Sequence, residues 1–167
     1  MDRKIITKVA LFSIVAGLIS FFESFFIPLI PIPGMKLGFS NIVLLVALLY
    51  FDKKVVYLIA VMKSILAALL SGAFTSILYS LPSGIVAVLA MSIAMKFMPK
   101  LSFIGVSVIG ALFFNMVQVC VSVIVLNSTA YFYYLPWVII VGSLASTLNG
   151  FIVNEITKKN TLGAILK

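Results

Sequence analysis

The sequence contains no histidine, one cysteine and few charged residues, and each of these shortages excludes a class of function. Without histidine, no imidazole is available as a general base, proton shuttle or metal ligand. The single cysteine, Cys120, cannot form a disulfide within the chain or a cysteine cluster around a metal. A G-x-x-x-x-G-K-[ST] loop is also missing, so the chain does not use ATP through that motif.

The four acidic residues are too dispersed along the chain to predict a carboxylate cluster. They are Asp2, Glu23, Asp52 and Glu155. Mg²⁺ at diphosphate sites is held by oxygen ligands such as aspartates that lie close together, and the two aspartates here are far apart in sequence. We therefore expect a protein that is not an enzyme and that has no metal or cofactor of its own.

Apolar residues dominate the chain. Of its 167 residues, 63% are hydrophobic and only 10% are charged, whereas a soluble domain is about 45–50% apolar and about 25% charged. Apolar runs of about 20 residues are typical of membrane-spanning helices. The sequence predicts an all-α polytopic membrane protein, with residues 1–167 forming one integral membrane domain. The predicted spans cover residues 5–27, 38–51, 55–70, 75–98, 103–126 and 135–156.

The net charge of +8 does not indicate nucleic-acid binding, because the basic residues lie singly or in pairs between apolar runs. Ten of the twelve lie in the N-terminus, the C-terminal tail and the loops that follow the second and fourth helices. The excess of Lys and Arg in cytoplasmic loops predicts that both termini are cytoplasmic. The proline-rich segment 28–36 would then face outside and fold over the bundle or line a cavity, because irregular backbone is not tolerated against lipid.

Helix 1 carries a stripe of small residues, spaced three and four apart so that they share one face. The residues are Ala10, Ser13, Gly17, Ser20 and Ser24. Small side chains allow two helices to approach closely in lipid. Two interpretations stay open: the stripe packs against another helix of the same chain, or it is a docking face for a second membrane protein.

Glu23 and Lys63 are the ionisable residues that lie well inside the predicted spans. Such residues are costly in a membrane, usually pair with another polar or charged group, and usually mark a functional site. Either the two form a structural ion pair, or at least one of them faces a ligand cavity. Lys63, together with Lys36 in the outer loop, would favour an anionic or strongly polar group of a ligand.

Asn115 and Gln118 lie about one turn apart on the same face of helix 5. Buried carboxamides need hydrogen-bond partners. They either connect helices or form a face that contacts ligand, and Asn41 and Asn149 are weaker candidates of the same type.

The segment Pro-Gly-Met-Lys-Leu-Gly-Phe-Ser-Asn at 33–41 resembles the P-G-x-K-L-G-x-x-N signature of a bacterial family. Segments 79–84, 105–111, 115–118 and 134–137 continue the resemblance, which covers nearly the whole chain. Two names are in use for this family, heptaprenyl diphosphate synthase component I and Gx transporter. It is similar to the substrate-binding S components of energy-coupling-factor (ECF) vitamin transporters. The chain departs from the family pattern at Lys63, where the basic residue is often Arg, and at Phe114, where the pattern has His.

The resemblance implies an S component, a subunit of the bacterial cytoplasmic membrane that takes up a small vitamin-like molecule or one related to isoprenoids, flavins or quinones. It implies a coupling subunit that docks on helix 1 and separate ATPases that use ATP, besides the ligand and membrane lipid. The alternative is a noncatalytic membrane component of heptaprenyl diphosphate synthesis.

In S components the ligand lies near the outer face, under the loop that follows helix 1. With the polar residues described above, this arrangement predicts two sets of site residues. The ligand-binding set is Glu23, Pro33, Gly34, Lys36, Asn41, Lys63, Tyr79, Asn115 and Gln118. The partner-docking set is Ala10, Ser13, Gly17 and Ser20.

Overall fold

The structure, a computed structural model, describes residues 3–25 and 36–159, and all regular structure in these residues is helical. A short 3₁₀-helix, Thr129–Tyr134, precedes the last of the six α-helices. The α-helices are α1 (Arg3–Glu23), α2 (Asn41–Tyr50), α3 (Lys53–Ser71), α4 (Ser76–Phe97), α5 (Phe103–Val125) and α6 (Leu135–Lys158).

Five of these helices are long and apolar enough to cross a membrane, and α2 is the exception with 10 residues. Large apolar side chains cover the outer surface of the bundle. For example, Leu11, Leu144 and Ile124 are all more than half exposed. A surface of this kind is stable against lipid but not against water. The predicted fold class, a polytopic helical membrane bundle, is confirmed.

The short helix α2 forms the centre of the bundle. The long helices pack in the order α1, α3, α4, α5 and α6, each against the next, and α2 contacts all five of them. Leu44, Leu45 and Ala47 of α2 are fully buried. Because α2 is enclosed by the other helices, it need not match the thickness of the bilayer by itself.

Helices α3 to α6 begin and end within two residues of the predicted spans, but α2 begins later than predicted. Gly38 has φ +89°, which a right-handed helix cannot include, and α2 starts only at Asn41. Of the predicted irregular loop, residues 28–35 lie outside the described residues. Lys36, where the loop ends, is buried with Gly38 and Ser40, as irregular backbone at this depth requires.

The small-residue stripe of α1 faces the interior of the same chain. Ser13 and Ser20 are buried, and a Cβ atom at Gly17 would lie 2.9 Å from the Cβ atom of Leu66 on α3. These three residues are buried within the chain, which favours the interpretation as internal packing; their docking role stays a prediction. Ala10 is exposed and remains a predicted docking residue.

Helices α5 and α6 approach each other closely at Gly150. A Cβ atom at this position would lie 2.4 Å from the Cα atom of Ile104, closer than real Cβ atoms come to any neighbour. Since the obstacle is backbone and not the end of a flexible side chain, it cannot move away cheaply. A stripe of small residues, Gly142, Ser146 and Gly150, therefore sets the distance between α5 and α6.

We expect Gly150→Ala to lower the unfolding temperature of the purified protein, because the added methyl group forces α5 and α6 apart. Overpacking of this kind typically costs about 1–3 kcal/mol. Gly84→Ala is the matched control, because Gly84 is also inside a helix but its Cβ atom would lie an ordinary 3.9 Å from Ala60. Equal unfolding temperatures for the two variants would contradict the close approach at Gly150.

Candidate functional site

Polar side chains meet inside the bundle at the end where α1 ends and α2 begins. Six of the side chains predicted to bind ligand lie there, each no more than 5% exposed. We call them the polar cluster: Glu23, Lys36, Asn41, Lys63, Asn115 and Gln118. They come from α1, α2, α3, α5 and the segment that leads into α2.

Glu23, the last residue of α1, binds the start of α2. Its carboxylate accepts hydrogen bonds from the backbone N–H of Phe39 and, at 3.1 Å, from the hydroxyl of Ser40. Ser40 precedes α2 without capping it through its own side chain. The first N–H groups of α2, those of residues 41–43, donate to the carbonyls of residues 38–40. Glu23 therefore stabilises the beginning of α2 indirectly, by holding the two residues that precede it.

Lys36 crosses the bundle from α5 to α1. Its backbone N–H donates to Oε1 of Gln118 at 3.3 Å, and its Nζ donates to the hydroxyl of Ser20 at 2.8 Å. Burial lowers the pKa of the Lys36 ammonium below its ordinary value, and the Glu23 carboxylate opposes this shift. The charged form of Lys36 therefore gains from any further negative charge nearby.

Lys63 is fully buried and donates a hydrogen bond to Oδ1 of Asn41 at 3.0 Å. Its ammonium also lies 5.4 Å from the centre of the Phe114 ring, within the range of a cation–π interaction. Glu23 and Lys63 thus use different partners, although they interact electrostatically. The direct Glu–Lys pair considered from the sequence is replaced by an indirect connection through residues 39–41.

Asn115 connects α5 to α6 and also lies at the edge of the cluster. Its Nδ2 donates to the carbonyl of Val138 at 3.4 Å, and it fits against Gly142, where a Cβ atom would lie only 2.0 Å from Nδ2. Asn115 and Lys36 line a cavity of about 10 Å³ beside Trp137. That is room for about one water molecule.

Three amide atoms of the cluster are buried without a hydrogen-bond partner: Nδ2 of Asn41, Oδ1 of Asn115 and Nε2 of Gln118. Native proteins leave few buried polar groups unpaired, because each costs about 1–3 kcal/mol. Three such atoms in one place indicate a site that is completed by something else.

Three predicted site residues are not part of the polar cluster as defined here: Pro33, Gly34 and Tyr79. Pro33 and Gly34 fall outside the described residues. Tyr79 is buried on α4. The ligand-binding role of the whole set stays a prediction.

Sequence reasoning missed several partners of the cluster. Ser20 was assigned to the docking stripe, Ser40 carried no signal, and Asn149, whose Nδ2 donates to the carbonyl of Gly38 at 3.1 Å, was only a weak candidate. Phe114 drew notice solely as a departure from the family pattern. Serine and phenylalanine are ordinary in membrane helices, so nothing in the sequence marks them.

We expect Glu23→Gln to lower the unfolding temperature strongly, because it leaves two buried ammonium groups without their carboxylate. Removing one partner of a buried charge pair typically costs about 3–5 kcal/mol. Glu155→Gln is the control: Glu155 forms an exposed ion pair with Lys158 at 3.1 Å, which contributes at most about 1 kcal/mol. If both variants unfold at the same temperature, Glu23 does not neutralise the cluster.

Comparison with known proteins gives one family. The family model described as heptaprenyl diphosphate synthase component I matches residues 11–156, a range that includes every residue of the polar cluster. No curated protein matches the chain, and no solved structure matches it. Since the match covers most of the sequence, the chain belongs to the heptaprenyl diphosphate synthase component I family.

Proposed function

We propose that the protein is a noncatalytic, substrate-binding membrane subunit of the ECF type, an S component that takes up a small vitamin-like or isoprenoid-related molecule. The observation that carries the proposal is the polar cluster, which contains all three of the unpaired amide atoms in the described residues; the other unpaired side-chain atoms there are hydroxyls of Ser13, Ser76 and Ser92. Polar groups that only connect helices gain nothing from being left unpaired. Groups that bind a ligand stay unpaired until the ligand arrives.

The position of the cluster supports capture from one side of the membrane. It lies where the segment leading into α2 enters the bundle, and Lys36 of that segment is part of it. With both termini cytoplasmic, as the distribution of Lys and Arg predicts, this end faces outside. Ligand would then bind from outside and be released into the cell when partner ATPases drive the coupling subunit.

The chemistry of the chain supports binding without catalysis. It has no histidine, and Asp52, which immediately precedes α3, lies at the opposite end of α2 from the residues that Glu23 binds. Glu155 is exposed near the end of α6. A diphosphate-handling Mg²⁺ site needs several carboxylates together, and the two ammonium groups beside Glu23 disfavour a cation there.

The family description supports a second candidate, a noncatalytic membrane component of heptaprenyl diphosphate synthesis. Both candidates need a bound small molecule and a partner protein. They differ in the partner: a transmembrane coupling subunit with ATPases in the first case, a prenyl synthase subunit in the second. Ala10 and the exposed apolar side chains of α1, such as Leu11 and Leu18, are available for such a contact.

Native mass spectrometry of the protein purified in mild detergent should show a bound small molecule. We expect Lys63→Met to lower the affinity for that molecule about tenfold or more, and Lys63→Arg to lower it less, because Arg keeps the charge. Lys96→Met is the control: Lys96 also lies over a phenylalanine ring, at 5.5 Å, but on the exposed surface. Unchanged affinity in Lys63→Met would show that Lys63 does not contribute to binding the molecule.

Catalysis is tested separately. The purified chain, given isopentenyl and allylic diphosphates with Mg²⁺, should form no longer product, and elongation by this chain alone would overturn the proposal. Purification of the tagged chain from its native membrane then separates the two candidates. ATPases and a coupling subunit support uptake, whereas a prenyl synthase subunit without them supports the second candidate.

A further inference from the structure

The unpaired atoms of the polar cluster define what kind of group they can bind. Lysine ammonium and backbone N–H groups only donate hydrogen bonds, so the amide atom that meets each of them is an oxygen. Asn41 meets the ammonium of Lys63, and Gln118 meets the N–H of Lys36. In both side chains the oxygen is therefore used, and the NH₂ group is the unpaired one.

Donors and positive charge are in excess in this cluster. The cluster contains two ammonium groups and two unpaired NH₂ groups but only one carboxylate, that of Glu23. This carboxylate already accepts hydrogen bonds from Phe39 and Ser40. The unpaired acceptor of the cluster is Oδ1 of Asn115. With both lysines and Glu23 ionised, the formal charge is +1. A group rich in acceptors and negatively charged, such as a phosphate, complements this arrangement.

An apolar groove begins at the same place. It has a volume of about 310 Å³ and lies between α1 and α6, with α2 as its floor. Its lining contains only apolar side chains, among them Val15 and Ile19 of α1, Ile42 of α2 and Ile156 of α6. From Ile19 to Leu11 the groove follows α1 over about 12 Å, at about 1.5 Å per residue.

Lys36 connects the cluster to the groove. Its backbone lies beside α5 and α6, where it lines the small cavity with Trp137, while its Nζ reaches Ser20 on α1. The side chain therefore crosses from the α6 side to the α1 side at the upper end of the groove. Ser20, which binds Lys36, directly follows Ile19 of the groove, and Asn41, which binds Lys63, directly precedes Ile42 of the groove. The groove therefore begins within one residue of the partners of both lysines.

We infer that the ligand is an anionic amphiphile, with a phosphate-type head group bound by Lys36, Lys63, Asn41 and Gln118 and a single apolar chain lying in the groove between α1 and α6. This inference rests on the proposed function and names its substrate class. Because the cavity beside Lys36 holds only about one water molecule, binding of the head group requires side chains of the cluster to rearrange. Both a fatty chain and an isoprenoid chain are apolar, as the groove requires.

The test uses the protein in phosphatidylcholine nanodiscs and four probes: dodecyl phosphate, farnesyl phosphate, dodecanol and inorganic phosphate. We expect the two amphiphilic phosphates to bind at least tenfold more tightly than either dodecanol or inorganic phosphate. A preference for farnesyl over dodecyl phosphate identifies an isoprenoid source, and the reverse preference identifies a lipid source.

Gln118→Glu tests the head group. Glutamate keeps the shape and the acceptor for the N–H of Lys36, but it replaces the unpaired NH₂ group by a negative charge. We expect at least a tenfold loss of affinity for both amphiphilic phosphates, with no fall in the unfolding temperature. Unchanged affinity in a folded Gln118→Glu protein overturns the head-group assignment. If this variant does not fold, the unmodified protein still provides a test. Equal affinity of the unmodified protein for dodecanol and for dodecyl phosphate would also overturn the head-group assignment.

Val15→Trp tests the groove, because Val15 lines it from an exposed position where a larger side chain fills the groove without entering the core. We expect at least a tenfold loss of affinity for the amphiphiles and none for inorganic phosphate. Leu18→Trp, at an equally exposed position of α1 outside the groove, is the control and should bind normally. Equal losses of affinity in both variants would overturn the assignment of the apolar chain to the groove. Binding of inorganic phosphate as tight as that of the amphiphiles would overturn it too. A short-chain anion found by native mass spectrometry would then leave the proposed function standing.

Discussion

The contact between the Glu23 carboxylate and the start of α2 is the interaction on which the polar cluster depends. It ties the end of the first helix to the N–H of Phe39 and the hydroxyl of Ser40. In a soluble protein, water could satisfy these groups, but inside a membrane bundle each needs a protein partner. By fixing where α2 begins, Glu23 also places Asn41 within reach of Lys63. One buried acid thus positions the side chains of three other elements.

The same contact shows why the cluster tolerates its charge. An isolated ion in an apolar interior is very costly, and a buried pair is tolerated only when its other hydrogen bonds are satisfied. Here Ser20, Asn41 and the Phe114 ring surround the two ammonium groups. The bundle concentrates much of its polarity at one end of α2, and the amide groups of this region stay incompletely paired. The stability of this region therefore depends on the same few residues that are predicted to bind ligand.

The sequence predicts most of the fold but only part of the cluster, for physical reasons. Apolar run length determines where membrane helices lie, so α3 to α6 are found within two residues. It does not reveal that Gly38 adopts a left-handed conformation, and α2 is therefore predicted to begin too early. Lys63, Asn115 and Gln118 are recognised because such residues are rare in membrane helices. Ser20 and Ser40 are not recognised, because serine is ordinary in membrane helices. The depth of a residue in the membrane also does not reveal how each helix is rotated about its axis. That rotation decides that Glu23 contacts residues 39–40 and not Lys63.

The shortness of α2 has a consequence for how deep in the membrane the polar cluster lies. Its 10 residues cover about 15 Å, roughly half of a hydrocarbon core of about 30 Å. The helix ends at Tyr50, two residues before the charged residues Asp52 and Lys53, which belong at the membrane surface. The first residue of α2 therefore lies about halfway across the hydrocarbon layer. A buried charge costs most at the bilayer centre, and this is the depth at which Glu23, Lys36 and Lys63 are each held by hydrogen bonds from within the chain.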